Sequence, residues 1–164
     1  MSAIRPASVD PDVPGVRILP PILFLAVLVA AFLLQWVWSL RMVPGELVLM
    51  VRAIGMVLVV LAFALGLSAV SRFRKAGTNV SPLEPVTVLV LEGPYRFTRN
   101  PMYLGFVLLT TGVAGIANSL WPIVLLVPAL VILQRGVIEP EERFLERKFG
   151  AEYRVYKARV RRWI

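Results

Sequence analysis

Cysteine and histidine are both absent from this chain. Those two absences exclude disulfides, thiolate and imidazole metal sites, cysteine nucleophiles and every catalytic triad built on a histidine base. Charge is also scarce, at 17% of the 164 residues, against 58% hydrophobic residues and a mean hydropathy of +0.76. A soluble domain carries about 25% charged residues. The charges that exist are unbalanced, with 18 Lys and Arg against 10 Asp and Glu. They crowd the borders of long uncharged runs and accompany no nucleic-acid-binding module, so the excess indicates cytoplasmic loops and anionic lipid, not nucleic acid.

The uncharged runs set the architecture. Residues 21–39 (PILFLAVLVAAFLLQWVWS) and 53–70 (AIGMVLVVLAFALGLSAV) are each close to the roughly 20 residues that span a bilayer. Each must be helical, because an isolated strand leaves its backbone unsatisfied in lipid. Trp36 and Trp38 sit at one end of the first as interfacial anchors. Residues 101–133 are uncharged throughout, too long for one span and short for two. The break is expected at Ala117-Asn118-Ser119, giving a tight helical hairpin whose second arm is kinked by Pro128 and followed by a snorkelling Arg135. The expected fold is therefore an all-α integral membrane protein of about four transmembrane helices.

Residues 1–19, with their prolines, glycine and mixed charges, are expected to be a flexible leader without the pattern of a signal peptide. Residues 20–164 are expected to form one membrane-embedded unit. The 71–100 loop and the 135–164 tail, which alone has nine Lys or Arg, fall in the cytoplasm by the positive-inside rule, and four crossings put both termini there. In the tail, Leu145, Phe149, Tyr153, Tyr156 and Val160 recur at helical spacing. This predicts an amphipathic cytoplasmic helix, interrupted near Gly150.

Two clusters can carry chemistry. In Gly93-Pro94-Tyr95-Arg96-Phe97-Thr98-Arg99-Asn100-Pro101-Met102-Tyr103-Leu104-Gly105, Asn100 suits an N-cap and Pro101 a first helical position. A helix start of that kind attracts anions through its free N–H groups, with Arg96 and Arg99 just before it. Gly105 permits close approach of a helix or a flat ligand, and Tyr95 and Tyr103 are candidates to line a pocket. The same residues also serve as a basic boundary, an ordinary cap, belt tyrosines and a packing glycine. In the second cluster, Glu139-Pro140-Glu141-Glu142, the acids either favour a helix start or accept hydrogen bonds from a ligand. The methionines have no metal-ligand spacing.

The run GPYRFTRNPMYLG, the hairpin after it and the tail EPEERFLERKFGAEYRVYKARVRRWI together resemble the isoprenylcysteine carboxyl methyltransferase and phospholipid N-methyltransferase group of small membrane enzymes. Ala76-Gly77-Thr78 is also like the bacterial members, and the resemblance covers roughly residues 72–164. It implies methyl transfer from S-adenosylmethionine to a lipid-borne or isoprenoid acceptor, in a site between the last two spans and the tail. By this resemblance Arg99, Pro101, Tyr103 and Gly105 match the family's box, and Glu141 and Glu142 its cofactor-binding pair. Asn100 replaces the family's commoner histidine, so an imidazole contact is lost while the helix start can persist. The family's eukaryotic members extend beyond the final Arg-Trp-Ile, which implies that acceptor contacts made there are missing.

Catalytic roles are expected for Arg99 or a tail arginine, orienting an anionic acceptor, and for Glu142. Cofactor contacts are expected from Tyr95, Asn100, Pro101, Tyr103, Gly105, Glu141 and Glu142, with no metal. A carboxylate acceptor needs no base, because its pKa is about 4, and alignment is then the main catalytic device. Two alternatives stand beside this: a sterol-reductase-like enzyme using NADPH, and a small scaffold whose basic tail binds anionic lipid.

Overall fold

The structure, a computed structural model, describes residues 16, 18–78 and 87–164. Its elements are α1 (Pro20–Val37), α2 (Val48–Lys75), α3 (Pro101–Ala117), α4 (Trp121–Leu133), α5 (Glu139–Phe149) and α6 (Ala151–Arg159). Short 3₁₀ turns occupy Gly45–Leu47 and Gly93–Arg96, and a π-helical turn occupies Gln134–Ile138. Among the described residues there is no strand; Arg41 and Ser119 form an isolated bridge. Most of the expected leader, and residues 79–86 of the expected 71–100 loop, lie outside the described residues. Val16 is buried in the core and Ile18 packs against it.

Three helical runs are long and apolar enough to cross a membrane: Pro20–Val37, Gly45–Lys75 and Trp121–Phe149. At 17 residues, α3 is shorter. Large apolar side chains on α1 and α2, Phe32, Trp36, Leu49 and Leu67 among them, are exposed, as lipid-facing residues of a membrane protein are. The chain is an integral membrane protein.

Two boundaries differ from expectation. Helix α2 starts earlier and runs longer, so Arg52 lies in its first turns and Arg72, Arg74 and Lys75 in its last turn. Cations there complement the negative end of the helix dipole, so charge did not end the helix. In the second case, Glu139-Pro140 is not a helix start: α4, the π turn and α5 are one continuous helical run. Pro140 has no N–H for the carbonyl four residues back, and its ring would clash with it. The π turn widens the backbone just upstream, with the Glu139 N–H bonded to the Gln134 carbonyl. The carboxylates therefore cap no free helix end. Helix α4 runs through Pro128 without a break.

Helix α3 packs along α2 on a glycine seam. A Cβ at Gly55 would lie 2.6 Å from the Gly112 carbonyl oxygen, and one at Gly112 would lie 2.7 Å from the Gly55 oxygen. Only bare backbone permits that approach, the usual means of joining helices in lipid, where apolar burial gives no driving force. The core lies between α1, α3, α4 and the π turn: Phe24, Tyr103, Leu126, Leu133, Val137 and Ile138, with Phe24 stacked on Phe106 at 5.0 Å between centroids.

At the end of the bundle beyond Ala117, Asn118 adopts a left-handed conformation (φ 49°), which asparagine tolerates better than most residues. Its Oδ1 accepts from the Val43 N–H at 3.0 Å and its Nδ2 donates to the Val43 carbonyl at 3.0 Å. Gln35 Oε1 accepts from Ser119 Oγ–H (2.9 Å) and from the Leu40 N–H (3.1 Å). Trp121 Nε1–H donates to the Trp38 carbonyl at 2.7 Å. These bonds stitch the α1–α2 link to the α3–α4 turn.

Candidate functional site

The opposite end gathers the charged groups. Pro94 opens the Gly93–Arg96 turn, and Gly93 takes φ +62° ahead of it. The turn is clamped on two sides: Phe73 of α2 packs on the Tyr95 ring at 5.4 Å, and Tyr156 Oη–H of α6 donates to the Tyr95 carbonyl at 2.8 Å. Tyr95 is thereby buried, and its own Oη has no hydrogen-bond partner among the described residues. Burial pushes its phenol well above the usual tyrosine range, with Tyr156 and Glu141 adding to the effect.

Downstream, residues 98–100 pair with the chain's last residues. The Arg99 N–H donates to the Arg161 carbonyl at 3.0 Å. The Arg162 carbonyl accepts twice, from Thr98 Oγ–H at 3.1 Å and from Asn100 Nδ2–H at 2.9 Å. Asn100 does occupy the position before α3, with its backbone carbonyl accepting from the Leu104 N–H. Its side chain makes no capping bond, contrary to expectation. The amide is drawn instead to the tail, because Arg162 presents a carbonyl with lone pairs to spare and buried polar groups find partners where they can.

Arg162 then reaches the acidic pair. Its Nε and Nη2 donate to the two oxygens of Glu142 at 3.0 and 2.6 Å, a bidentate fork. That bonding raises the Arg162 pKa further. Arg99 Nη1 lies 2.9 Å from Glu142 Oε1, with Arg99 and Glu142 side chains 10% and 8% exposed. The contact is an ion pair without hydrogen-bond alignment, since the Nη1 and Nε of Arg99 lack hydrogen-bond acceptors among the described residues. Two guanidiniums thus converge on one carboxylate, leaving the cluster positive and two buried donors unmet. Over it lie the buried Tyr153 and Tyr156 of α6. Burial, with Glu142 assisting against Arg99, pushes the Tyr153 phenol up to about 12. Burial likewise raises Tyr156, so neither phenol ionises near neutrality.

Glu141 faces a different partner: Tyr103 Oη–H donates to its Oε1 at 2.7 Å. The Tyr103 ring also lines an apolar cavity of about 540 Å³ between α1, α2 and α3, with Pro20, Phe63, Leu67, Gly105 and Phe106. Tyr103 is therefore shared by the polar cluster and the apolar cavity.

The structure brings Arg99, Asn100, Tyr103, Glu141 and Glu142 to one end of the bundle, with Tyr95 close by. Pro101 is fully buried at the start of α3. Gly105 stands apart: its closest neighbour is the Ala62 carbonyl of α2, which a Cβ would meet at 3.3 Å, so its lack of a side chain serves helix packing and the cavity wall. Thr98 was missed by sequence reasoning, and a tail arginine was expected without Arg162 being singled out. Nine basic residues follow position 134, and no spacing distinguishes Arg162 among them. The stripe from Leu145 to Tyr156 lies on two helices, separated at Gly150 (φ +55°), with Val160 just past the end of α6, and its Tyr153 and Tyr156 face inward.

Comparison with known proteins bears on this arrangement. The chain is 44% identical over 64 residues to an uncharacterized protein of Haemophilus influenzae, an alignment covering 38% of this chain and 100% of that one. No solved structure matches it. The phospholipid methyltransferase family matches residues 50–152, a stretch that takes in α2 but for its first two residues, α3, the Arg99–Asn100 segment and the Glu141–Glu142 pair. With most of its length matched, the chain belongs to the phospholipid methyltransferase family, a family of membrane methyltransferases.

Proposed function

We propose that this protein transfers a methyl group from S-adenosylmethionine to a lipid-borne or isoprenoid acceptor bearing a carboxylate, at the cytoplasmic face of the membrane. The observation that carries this reading is the convergence of Arg99, Glu142 and Arg162, tied to Asn100 through the Arg162 carbonyl, beside a tyrosine that also lines an apolar cavity.

The residues present fit the cofactor. Among the described residues, Tyr95 keeps a buried hydroxyl unmet, open to the cofactor, while the two unmet donors of Arg99 are left for the acceptor. Glu141 and Glu142 are acceptors for an ammonium or for ribose hydroxyls, and Asn100 braces the wall between them and α3. The first-turn N–H groups of α3 add a positive end for an anion. When bound, S-adenosylmethionine supplies an electrophilic methyl group on a sulfonium. What this chain does is align a nucleophile with it and exclude water, which is where most of the rate comes from. Arg99 and Arg162 hold the anionic acceptor, and the cavity along Phe63, Leu67 and Phe106 takes its apolar chain.

A carboxylate fits these groups better than an amine. An amine must lose a proton to a base before it can attack, whereas a carboxylate is already ionised and is the charge that two converging guanidiniums can hold. In this reading residues 20–164 act as one unit, α3 and α4 form the third and fourth crossings, and both termini are cytoplasmic.

The test is incubation of the purified protein with labelled methyl donor and a membrane lipid extract. Label entering the lipid fraction and released as methanol by alkali is the expected result. Label retained through alkali indicates an N-methyl product and overturns the carboxylate. No label in lipid overturns methyl transfer to lipid.

A further inference from the structure

We propose that the groove between the second half of α2 and residues 91–97 is a seat for an anionic phospholipid, distinct from the Arg99–Glu142 cluster and independent of the methyl-transfer reading. The cavity there measures about 760 Å³, and Leu65, Ser68, Arg72, Glu92, Arg96 and Phe97 are among the residues lining it.

Leu65, Ser68 and Arg72 lie on one face of α2, spaced at three and four residues. Along that face the lining passes from apolar to hydroxyl to guanidinium toward the helix end, the order in which a lipid presents acyl chain, glycerol and phosphate. Arg72 reaches the groove across the bare face of Gly93, where a Cβ would lie 2.8 Å from its Nε. Arg72 pairs with Glu92 at 3.3 Å, but the Glu92 side chain is 81% exposed. Such a surface pair contributes about 0–1 kcal/mol, so a phosphodiester displaces it readily.

Arg96 is exposed and makes no ion pair with any described residue, while Phe97 presents a large ring 79% exposed at the same edge. Alternation along the segment separates the two sites. Tyr95 and Thr98 are buried toward α6 and the tail, whereas Arg96 and Phe97 stand outward. A free phosphate would leave Leu65 and Phe97 without a partner, and an acidic peptide would not match the apolar-to-cationic order.

Calorimetric titration of the full-length protein in neutral detergent tests this, with dihexanoyl phosphatidylglycerol as probe and dihexanoyl phosphatidylcholine and inorganic phosphate as parallel arms. Saturable phosphatidylglycerol binding about tenfold tighter than either control is expected. Arg72→Gln with Arg96→Gln weakens it about tenfold, while Glu92→Gln, which removes the competing carboxylate, tightens it about threefold. Arg96 and Glu92 are exposed, so their single variants carry the test if Arg72→Gln does not fold. Exposed Arg74→Gln with Lys75→Gln leaves binding unchanged. Equal weakening by that control pair, equal affinity for either control ligand, or no effect of Arg96→Gln and Glu92→Gln overturns the proposal.

Discussion

The two ends of the helical bundle use the same device for different purposes. Each ties residues far apart in the chain with side-chain hydrogen bonds: Asn118 to Val43 at one end, Asn100 to Arg162 at the other. At the Asn118 end the side chains are neutral, and each of Asn118, Ser119, Gln35 and Trp121 bonds to a partner across the link. At the Asn100 end the groups are charged, two cations face one carboxylate, and Arg99 and Tyr95 retain buried polar atoms without hydrogen bonds among the described residues. Satisfied neutral bonds make a lock; unsatisfied buried donors cost stability and persist where a ligand uses them.

Glu142→Gln should break the comparison most severely. Removing one member of a buried ion pair costs about 3 kcal/mol, visible as a lower melting temperature, and methyl transfer should fall by about 100-fold or more. Asn118→Ala should cost about 2 kcal/mol by thermal melting, since it removes two backbone contacts and places Ala in a left-handed conformation, yet leave kcat unchanged. An equal loss of kcat in both variants would erase the distinction between the ends. Tyr103→Phe deletes only the hydroxyl that meets Glu141; methyl transfer should drop about tenfold with stability changed by about 1 kcal/mol. Arg162→Lys keeps the charge but not the two-pronged fork, so a cost of about 1 kcal/mol and a raised KM for the lipid acceptor at constant kcat are expected.

What was legible in the sequence follows from the range of the forces involved. Uncharged runs located α1, α3 and α4 because lipid solvation is decided locally by composition. The ends of α2 were misplaced because arginine and lysine look like loop residues, although a helix terminus accommodates them. Pro140 reads as a helix start, and nothing in adjacent residues reveals that a π turn upstream carries the helix past it. Arg99, Tyr103, Glu141 and Glu142 stood out as local clusters and do converge. The partner that joins Asn100 to Glu142, Arg162, is 62 residues from Asn100, and its choice among the tail cations is a tertiary event.

The proposed seat of the methyl donor is the charged end of the bundle. Calorimetric titration with S-adenosylhomocysteine of wild type, Asn118→Ala and Glu142→Gln tests it at once. Saturable binding by the first two and none by the third is the predicted result. Binding by all three alike, or by none, would contradict it.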